Sequence, residues 1–393
     1  MTQIYLDNNA TTPLDPEVLK ATIPYFTEKF GNAASKNHPF GWEAEEAVEH
    51  ARNIIAAELG ARPREIIFTS GATESVNLAV KGFCEANEQI GKHIITQAIE
   101  HKAVLDSCAE MEKRGWDVTY LPVNSEGLID LDELNSSLRD DTCFVTVMHA
   151  NNEIGVINNI SKIGNICRQK NICFFTDAAQ SFGKIAINVK AANIDMLAGS
   201  GHKMYGPKGI GFLYVSQHNP KVNLKLQMDG GGHERGMRSG TLSVPLIVGL
   251  GKAAEMCADL RDEESARMQS MRDKLLAGVM EALPDTVING SMDHRLPNNI
   301  NLSFPHVDGE ALLMKLENIA CSSGSACTSA TLQPSYVMKA LGHSEELAHS
   351  SIRIAFGRMN EENDTDTAIK EIVNAVTSLR KKSHVNSRKI IEP

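Results

Sequence analysis

Ile172-Cys173-Phe174-Phe175-Thr176-Asp177 is a short run of aromatic and β-favouring residues closed by an acid. A strand that is apolar at nearly every position, rather than at every second one, is covered on both faces. Runs of the same kind recur at Glu65–Thr69, His93–Thr96, Val118–Leu121, Cys143–Met148, Ile194–Leu197 and Ile210–Val215. Helical patterns separate them, from Ala72 to about Phe83 and from Lys102 to Arg114. Strands and helices in alternation predict an α/β fold, with a mostly parallel sheet of seven strands under helices.

After Thr241 the pattern changes. A helical stretch runs from about Pro245 to Leu283, with Arg261-Asp262-Glu263-Glu264 in its middle. Strands follow at Thr286–Asn289, Asn299–Phe304 and Ser351–Ala355, with helices at Gly309–Glu317 and from about Glu361 to Lys381. These elements predict a smaller α+β domain. The polar tail after Lys382 is expected to fray.

A chain of 393 residues has room for about two domains. Its net charge of −10 argues against a nucleic-acid binder that relies on a broad basic surface. No run approaches the roughly 18 apolar residues that span a bilayer. The start, Met1-Thr2-Gln3-Ile4-Tyr5-Leu6-Asp7, enters a strand without a basic leader, so a cytoplasmic protein is expected. The eight cysteines are scattered without a C-x-x-C pair, which argues against a disulfide framework. Most lie in apolar patterns as small hydrophobes, and Cys321 is expected to be structural.

Open α/β sheets bind ligands just beyond the carboxyl ends of their strands. Asp177 stands at such an end, as a helix cap or as a buried functional carboxylate. Thr69-Ser70-Gly71-Ala72-Thr73-Glu74-Ser75 runs from strand to helix through Ser-Gly, which suits either a capping box or an anion site. His101 lies at another strand-to-helix junction, where it could cap the helix, or stack on a ring and shuttle protons. Leu197-Ala198-Gly199-Ser200-Gly201-His202-Lys203-Met204-Tyr205-Gly206-Pro207-Lys208-Gly209 puts a lysine, beside a histidine and a serine, in a glycine-rich turn. A crowded, partly desolvated lysine loses its proton readily and can bond to a carbonyl. Cys327, in Ser322-Ser323-Gly324-Ser325-Ala326-Cys327-Thr328-Ser329, sits among small polar residues, as a free surface thiol or a reactive one. Arg353, inside an apolar strand, needs an anionic partner such as a substrate carboxylate.

Together these segments resemble the pyridoxal-phosphate-dependent cysteine desulfurases of the class-V aminotransferase family, in the iron–sulfur-assembly and nitrogen-fixation branch. The resemblance rests on Ser-Gly-His-Lys at Lys203, Thr-Asp-Ala-Ala-Gln at Asp177, Glu-His-Lys-Ala-Val at His101 and the Cys327 segment. Tyr5–Pro13, His149–Gly155 and Gly230–Thr241 support it, and it spans about Ile4 to Lys382. It implies the fold of type I pyridoxal-phosphate transferases. Residues 14–258 would form the large cofactor domain, and residues 1–13 with 259–393 the small domain carrying the cysteine.

The same resemblance implies the site roles. Lys203 would bond to the cofactor and move protons, Asp177 would face the pyridine nitrogen, Gln180 the ring hydroxyl, and His101 would stack on the ring. Ala72, Thr73, Ser200 and His202 would hold the phosphate, and Thr241 would reach the phosphate of a neighbouring subunit in a homodimer. Asn152, beside the cofactor, and Arg353 would hold the carboxylate of L-cysteine. Cys327 would take the sulfur as a persulfide and pass it to an iron–sulfur scaffold protein or to other acceptors such as a tRNA-thiolation relay. No intrinsic metal is implied, although Cys327 could ligate a transient iron–sulfur cluster shared with the scaffold.

Two departures stand out: Gly31-Asn32-Ala33-Ala34-Ser35 has alanine where many relatives have proline, and the tail from Ser383 lacks the Trp- and His-containing extension that grips a scaffold. A selenocysteine lyase on the same fold is the alternative enzyme. A catalytically silent sulfur-transfer scaffold would be expected to lack Lys203 or Asp177, and both are present.

Overall fold

The computed structural model describes residues 3–218, 220–323 and 334–389, with side chains as far as residue 381. Cys327 lies outside the described residues. A two-residue strand, β1 (Ile4–Tyr5), opens the chain. The predicted runs then appear as β2 (Ile66–Thr69), β3 (His93–Gln97), β4 (Asp117–Leu121), β5 (Thr142–Thr146), β6 (Cys173–Asp177), β7 (Met196–Ser200) and β8 (Gly211–Val215). They form one seven-stranded sheet in the order β2-β8-β7-β6-β5-β3-β4, parallel except for β8, which is antiparallel to both neighbours.

The continuous apolar pattern has a direct cause. Phe68, Val145, Phe174, Leu197 and Phe212 face one hydrophobic core, while their chain neighbours Ile67, Phe144, Phe175, Ala198 and Leu213 face a second on the other side. The twofold alternation of a strand therefore carries apolar residues to both faces. Only the edge strand β4 departs from this, with Tyr120 exposed.

A third core gathers Leu6, Met271, Leu275, Ile300, Leu302, Ile352, Phe356 and Ile372. Its strands are β9 (Val287–Ile288), β10 (Asn299–Ser303) and β12 (Ser351–Ala355), antiparallel in the order β12-β10-β9. β11 (Ile319–Ala320) pairs with β1. The helix Val244–Ala282 serves two cores: Ile247, Leu250 and Ala254 pack into the first, and Met271, Leu275 and Val279 into the third. Its charged midpoint lies where it passes between them, with Arg261 bonded to Glu58 and Glu264 to Arg358.

The final helix corrects one expectation. It spans Glu362–Lys389 and continues past Lys382 instead of fraying there.

Candidate active site

The carboxyl ends of β2, β6 and β7 place Thr69, Asp177 and Ser200 at the same end of the sheet. A cavity of about 640 Å³ opens there. Ala72, Thr73, His101, Asn152, Asp177, Gln180, Ser200, His202, Lys203 and Arg353 all line it. Thr241 does not: it is exposed and lies off this chain's own cavity.

Lys203 closes a single 3₁₀ turn, Gly201–Lys203, directly after β7. Its Nζ donates to the carbonyl oxygens of Asn9 at 2.8 Å and Ala10 at 2.6 Å. The N-terminal segment thus braces the lysine turn, and it does so repeatedly. Thr12 N–H donates to His202 O at 2.9 Å, and Tyr205 N–H donates to Thr12 Oγ1 at 2.7 Å. Tyr205 needs the support, because its φ of 64° is a strained conformation for a bulky side chain.

Asp177 is buried, and its Oδ1 accepts from Ala179 N–H at 2.9 Å. Burial raises its carboxyl above the usual range, against the pull of His101, the Ala179 amide and Lys203. A carboxyl in that state is stabilised in its charged form by a protonated ring nitrogen facing it. His101 caps the helix Lys102–Lys113 by accepting Ala103 N–H at Nδ1, at 3.1 Å. Burial, then Lys203 and Lys208, push His202 down to about 4, so its ring is neutral at physiological pH.

The helix Ala72–Ala86 starts at Gly71, and no side chain caps it. Its first N–H groups face the cavity mouth, where an anion suits them. Glu74 fixes this turn by accepting Ser70 N–H at 2.7 Å and pairing with Arg238 at 2.8 Å. The turn lies so close to β8 that a Cβ on Gly211 would sit 2.7 Å from Gly71 Cα and 2.6 Å from Gly199 O. Overpacking of this kind costs about 1–3 kcal/mol. If that cost falls on the turn, Gly211→Ala should weaken retention of a phosphate-bearing ligand by roughly ten- to a hundredfold. Equilibrium titration of the ligand-free variant checks this.

Arg353, read from the sequence as needing an anionic partner such as a substrate carboxylate, already meets one carboxylate of this chain. Arg353 Nη2 donates to Asp7 Oδ1 at 2.6 Å and Nη1 to Asn152 O at 3.0 Å. Its Nε and Asn152 Oδ1 are buried polar atoms without a hydrogen-bond partner among the described residues, and both residues line the cavity. Of the two, only the Arg353 guanidinium is a donor that suits a carboxylate.

Glu100 escaped the sequence reading entirely. It is fully buried behind the site, with Oε1 accepting Met148 N–H at 2.5 Å and Gln97 Nε2 at 2.8 Å. Burial pushes its carboxyl up to about 8, helped by Asp177 and opposed by its two donors. The folded value lies above the unfolded 4.5, so the folded state holds a proton that the unfolded state releases. Stability conferred by this proton is complete below about pH 4.5 and lost as pH rises to about 8. Glu100→Gln keeps Oε1 and removes the titration. Denaturant unfolding should find the variant level with the native chain at pH 4, and more stable by at least about 1 kcal/mol at pH 8.5.

The residues present fit pyridoxal phosphate. A lysine, a buried acid for a ring nitrogen, an uncapped helix start for a phosphate and an arginine suited to a carboxylate share one cavity. Of the cysteines, Cys84, Cys108, Cys143, Cys167, Cys173 and Cys257 are buried. Burial pushes Cys321 up to about 12, so it is a poor nucleophile.

Comparison with known proteins gives the same picture. The family model described as Aminotransferase class-V matches residues 4–367. The chain is 54% identical over 382 residues to a cysteine desulfurase IscS of Neisseria meningitidis, covering 97% of this chain and 94% of that one. It is 53% identical over 380 residues to a cysteine desulfurase IscS of Anaeromyxobacter dehalogenans, with the same coverage. Among solved structures, a NifS-like protein superposes with a TM-score of 0.89 at 36% identity, covering 96% of this chain and all 100% of the other. A structure titled SspA in complex with cysteine matches with a TM-score of 0.80 at 39% identity, over 90% and 99% of the two chains.

Proposed function

The chain belongs to the class-V aminotransferase family, and from that premise we infer a pyridoxal-phosphate-dependent cysteine desulfurase that moves sulfur from L-cysteine to its own Cys327. The observation that carries this is the meeting of Lys203, Asp177 and Arg353 in one cavity.

Bound pyridoxal phosphate supplies an electron-withdrawing ring that makes the Cα–H and Cβ–S bonds of the amino acid labile. Asp177 would face the ring nitrogen, Gln180 the ring hydroxyl, and His101 would stack on the ring. The Ala72 and Thr73 amides with Ser200 and His202 hold the phosphate. Arg353 and Asn152, which both line the cavity, would hold the substrate carboxylate. Lys203 would anchor the cofactor and hold at Nζ the proton that leaves Cα. The Cys327 thiolate attacks the substrate sulfur, an S–S bond forms as Cβ–S breaks, and protonation at Cβ leaves alanine. L-cysteine and one thiol become alanine and one persulfide, with no outside oxidant.

Residues 14–258 act as the cofactor domain, and residues 1–13 with 259–393 as the smaller one. A homodimer accounts for two features: Thr241 stands off its own cavity, and Ile23, Phe26, Phe30, Phe40 and Trp42 form an exposed apolar stretch near the N-terminus. Thr241 would then complete the partner's phosphate site. The persulfide goes to iron–sulfur assembly, where Cys327 would join a scaffold around a transient cluster, or to other thiol acceptors in the cytoplasm. Among the described residues no helix is long and apolar enough to cross a membrane.

Incubation of the yellow holoenzyme with L-cysteine and a thiol reductant should release alanine and sulfide in equal amounts. Pyruvate in place of alanine, or no alanine, would overturn the assignment.

A further inference from the structure

Lys184 stands four residues after Gln180 and plays no part in the chemistry above. Its Nζ donates to Gln180 Oε1 at 3.2 Å and to Asn9 Oδ1 at 3.3 Å. On its other side Gln180 donates from Nε2 to Asn9 O at 2.8 Å, the same carbonyl that receives Lys203 Nζ. Gln180 is buried and lines the cavity.

This arrangement decides a question that a glutamine alone leaves open. An amide presents oxygen on one side and nitrogen on the other, and either can face a ligand. An ammonium has donors only, so the side of Gln180 that meets Lys184 must be oxygen. A backbone carbonyl accepts only, so the side that meets Asn9 O must be nitrogen. Turning the amide over would set donor against donor at Lys184 and acceptor against acceptor at Asn9. The second hydrogen on Nε2 is then the one left for the cavity.

We propose that Lys184 is a positioning residue, which locks the Gln180 amide so that it meets the bound cofactor as a hydrogen-bond donor to an anionic ring oxygen. This rests on reading the cavity as the pyridoxal phosphate site. Burial first, then Lys203 and Arg353, press Lys184 down to about 7, with Cys257 opposing them. Arg261 and Glu264 of the Val244–Ala282 helix line the small cavity on its other side. An amine that has lost a proton still holds two N–H donors, enough for Asn9 Oδ1 and Gln180 Oε1, while the Asn9 carbonyl on the other side still admits only nitrogen.

The test is the pH midpoint of the visible absorbance of the holoenzyme without substrate. A donor to the ring oxygen favours its anion, so losing the donor should raise the midpoint. Lys184→Met should raise it by about one unit, within the range a lost charged neighbour and hydrogen bond produce. Lys184→Arg, which restores donors, should return it most of the way. In a Gln180→Leu background Lys184→Met should add little, because both changes remove the same contact. Gln180→Glu leaves Lys184 in place and removes the N–H, so it must raise the midpoint too. That variant decides the matter if Lys184→Met does not fold. An unmoved midpoint in Lys184→Met or Gln180→Glu, or shifts that add in full, would overturn the proposal. Native protein with no visible absorbance at any pH would instead overturn the cofactor assignment beneath it.

Discussion

Lys203→Ala should abolish turnover, lowering kcat by at least about four orders of magnitude, because one side chain both anchors the cofactor and carries the proton. The structure argues that the loss is chemical and not a failure to fold. Lys203 Nζ donates to the carbonyls of Asn9 and Ala10 from a half-buried position. The turn itself is kept by Thr12 N–H on His202 O and by Tyr205 N–H on Thr12 Oγ1, neither of which needs the lysine side chain. Borohydride should therefore fix the cofactor to the native chain at residue 203 and leave the folded variant unlabelled. Unfolding by denaturant should be close to native. A folded variant that keeps one-tenth of native activity would contradict the role.

Arg353→Ala should show two losses with separate origins. The side chain is 3% exposed and its partner Asp7 is 16% exposed, at 2.6 Å, so truncation strands a carboxylate with little solvent. Breaking a pair of this kind costs about 3 kcal/mol or more. The second loss falls on substrate. Hydrogen bonds to a charged group are worth about 1.5–3 kcal/mol, so kcat/KM for L-cysteine should fall by roughly ten- to a hundredfold, mostly through KM. Cysteamine, which lacks the carboxylate, separates the two. The native enzyme should prefer L-cysteine strongly, and the variant should lose that preference. Arg353→Lys should recover stability better than preference, because an ammonium keeps the charge without the planar fork. A destabilised variant with native preference would leave Arg353 a purely structural role.

Much of the sheet was legible because burial on both faces writes itself locally: Phe174 and Phe175 enter different cores, so the whole run must be apolar. Asp177, Ser200 and Lys203 were legible for the same reason, as polar residues placed where such runs end. Asp7 was not. It meets Arg353 across 346 residues of chain, and nothing in Leu6-Asp7-Asn8 marks it as a counter-ion. Glu100 and Lys184 were hidden differently, since both lie in connecting segments and only the assembled fold buries them. Asn9 offered a motif without a role, and its carbonyl proves to be where Lys203 and Gln180 converge. Thr241 shows the limit of a single chain, because the phosphate site proposed for it would belong to another copy.

The central claim is that sulfur leaves L-cysteine for Cys327. Peptide mass spectrometry after a single turnover, with alanine quantified in the same sample, tests it most directly. The account predicts one added sulfur atom on the Cys327 peptide, one alanine per site, and neither product from Cys327→Ser. Alanine formed while the Cys327 peptide stays unmodified, or a persulfide found on Cys321 instead, would contradict it.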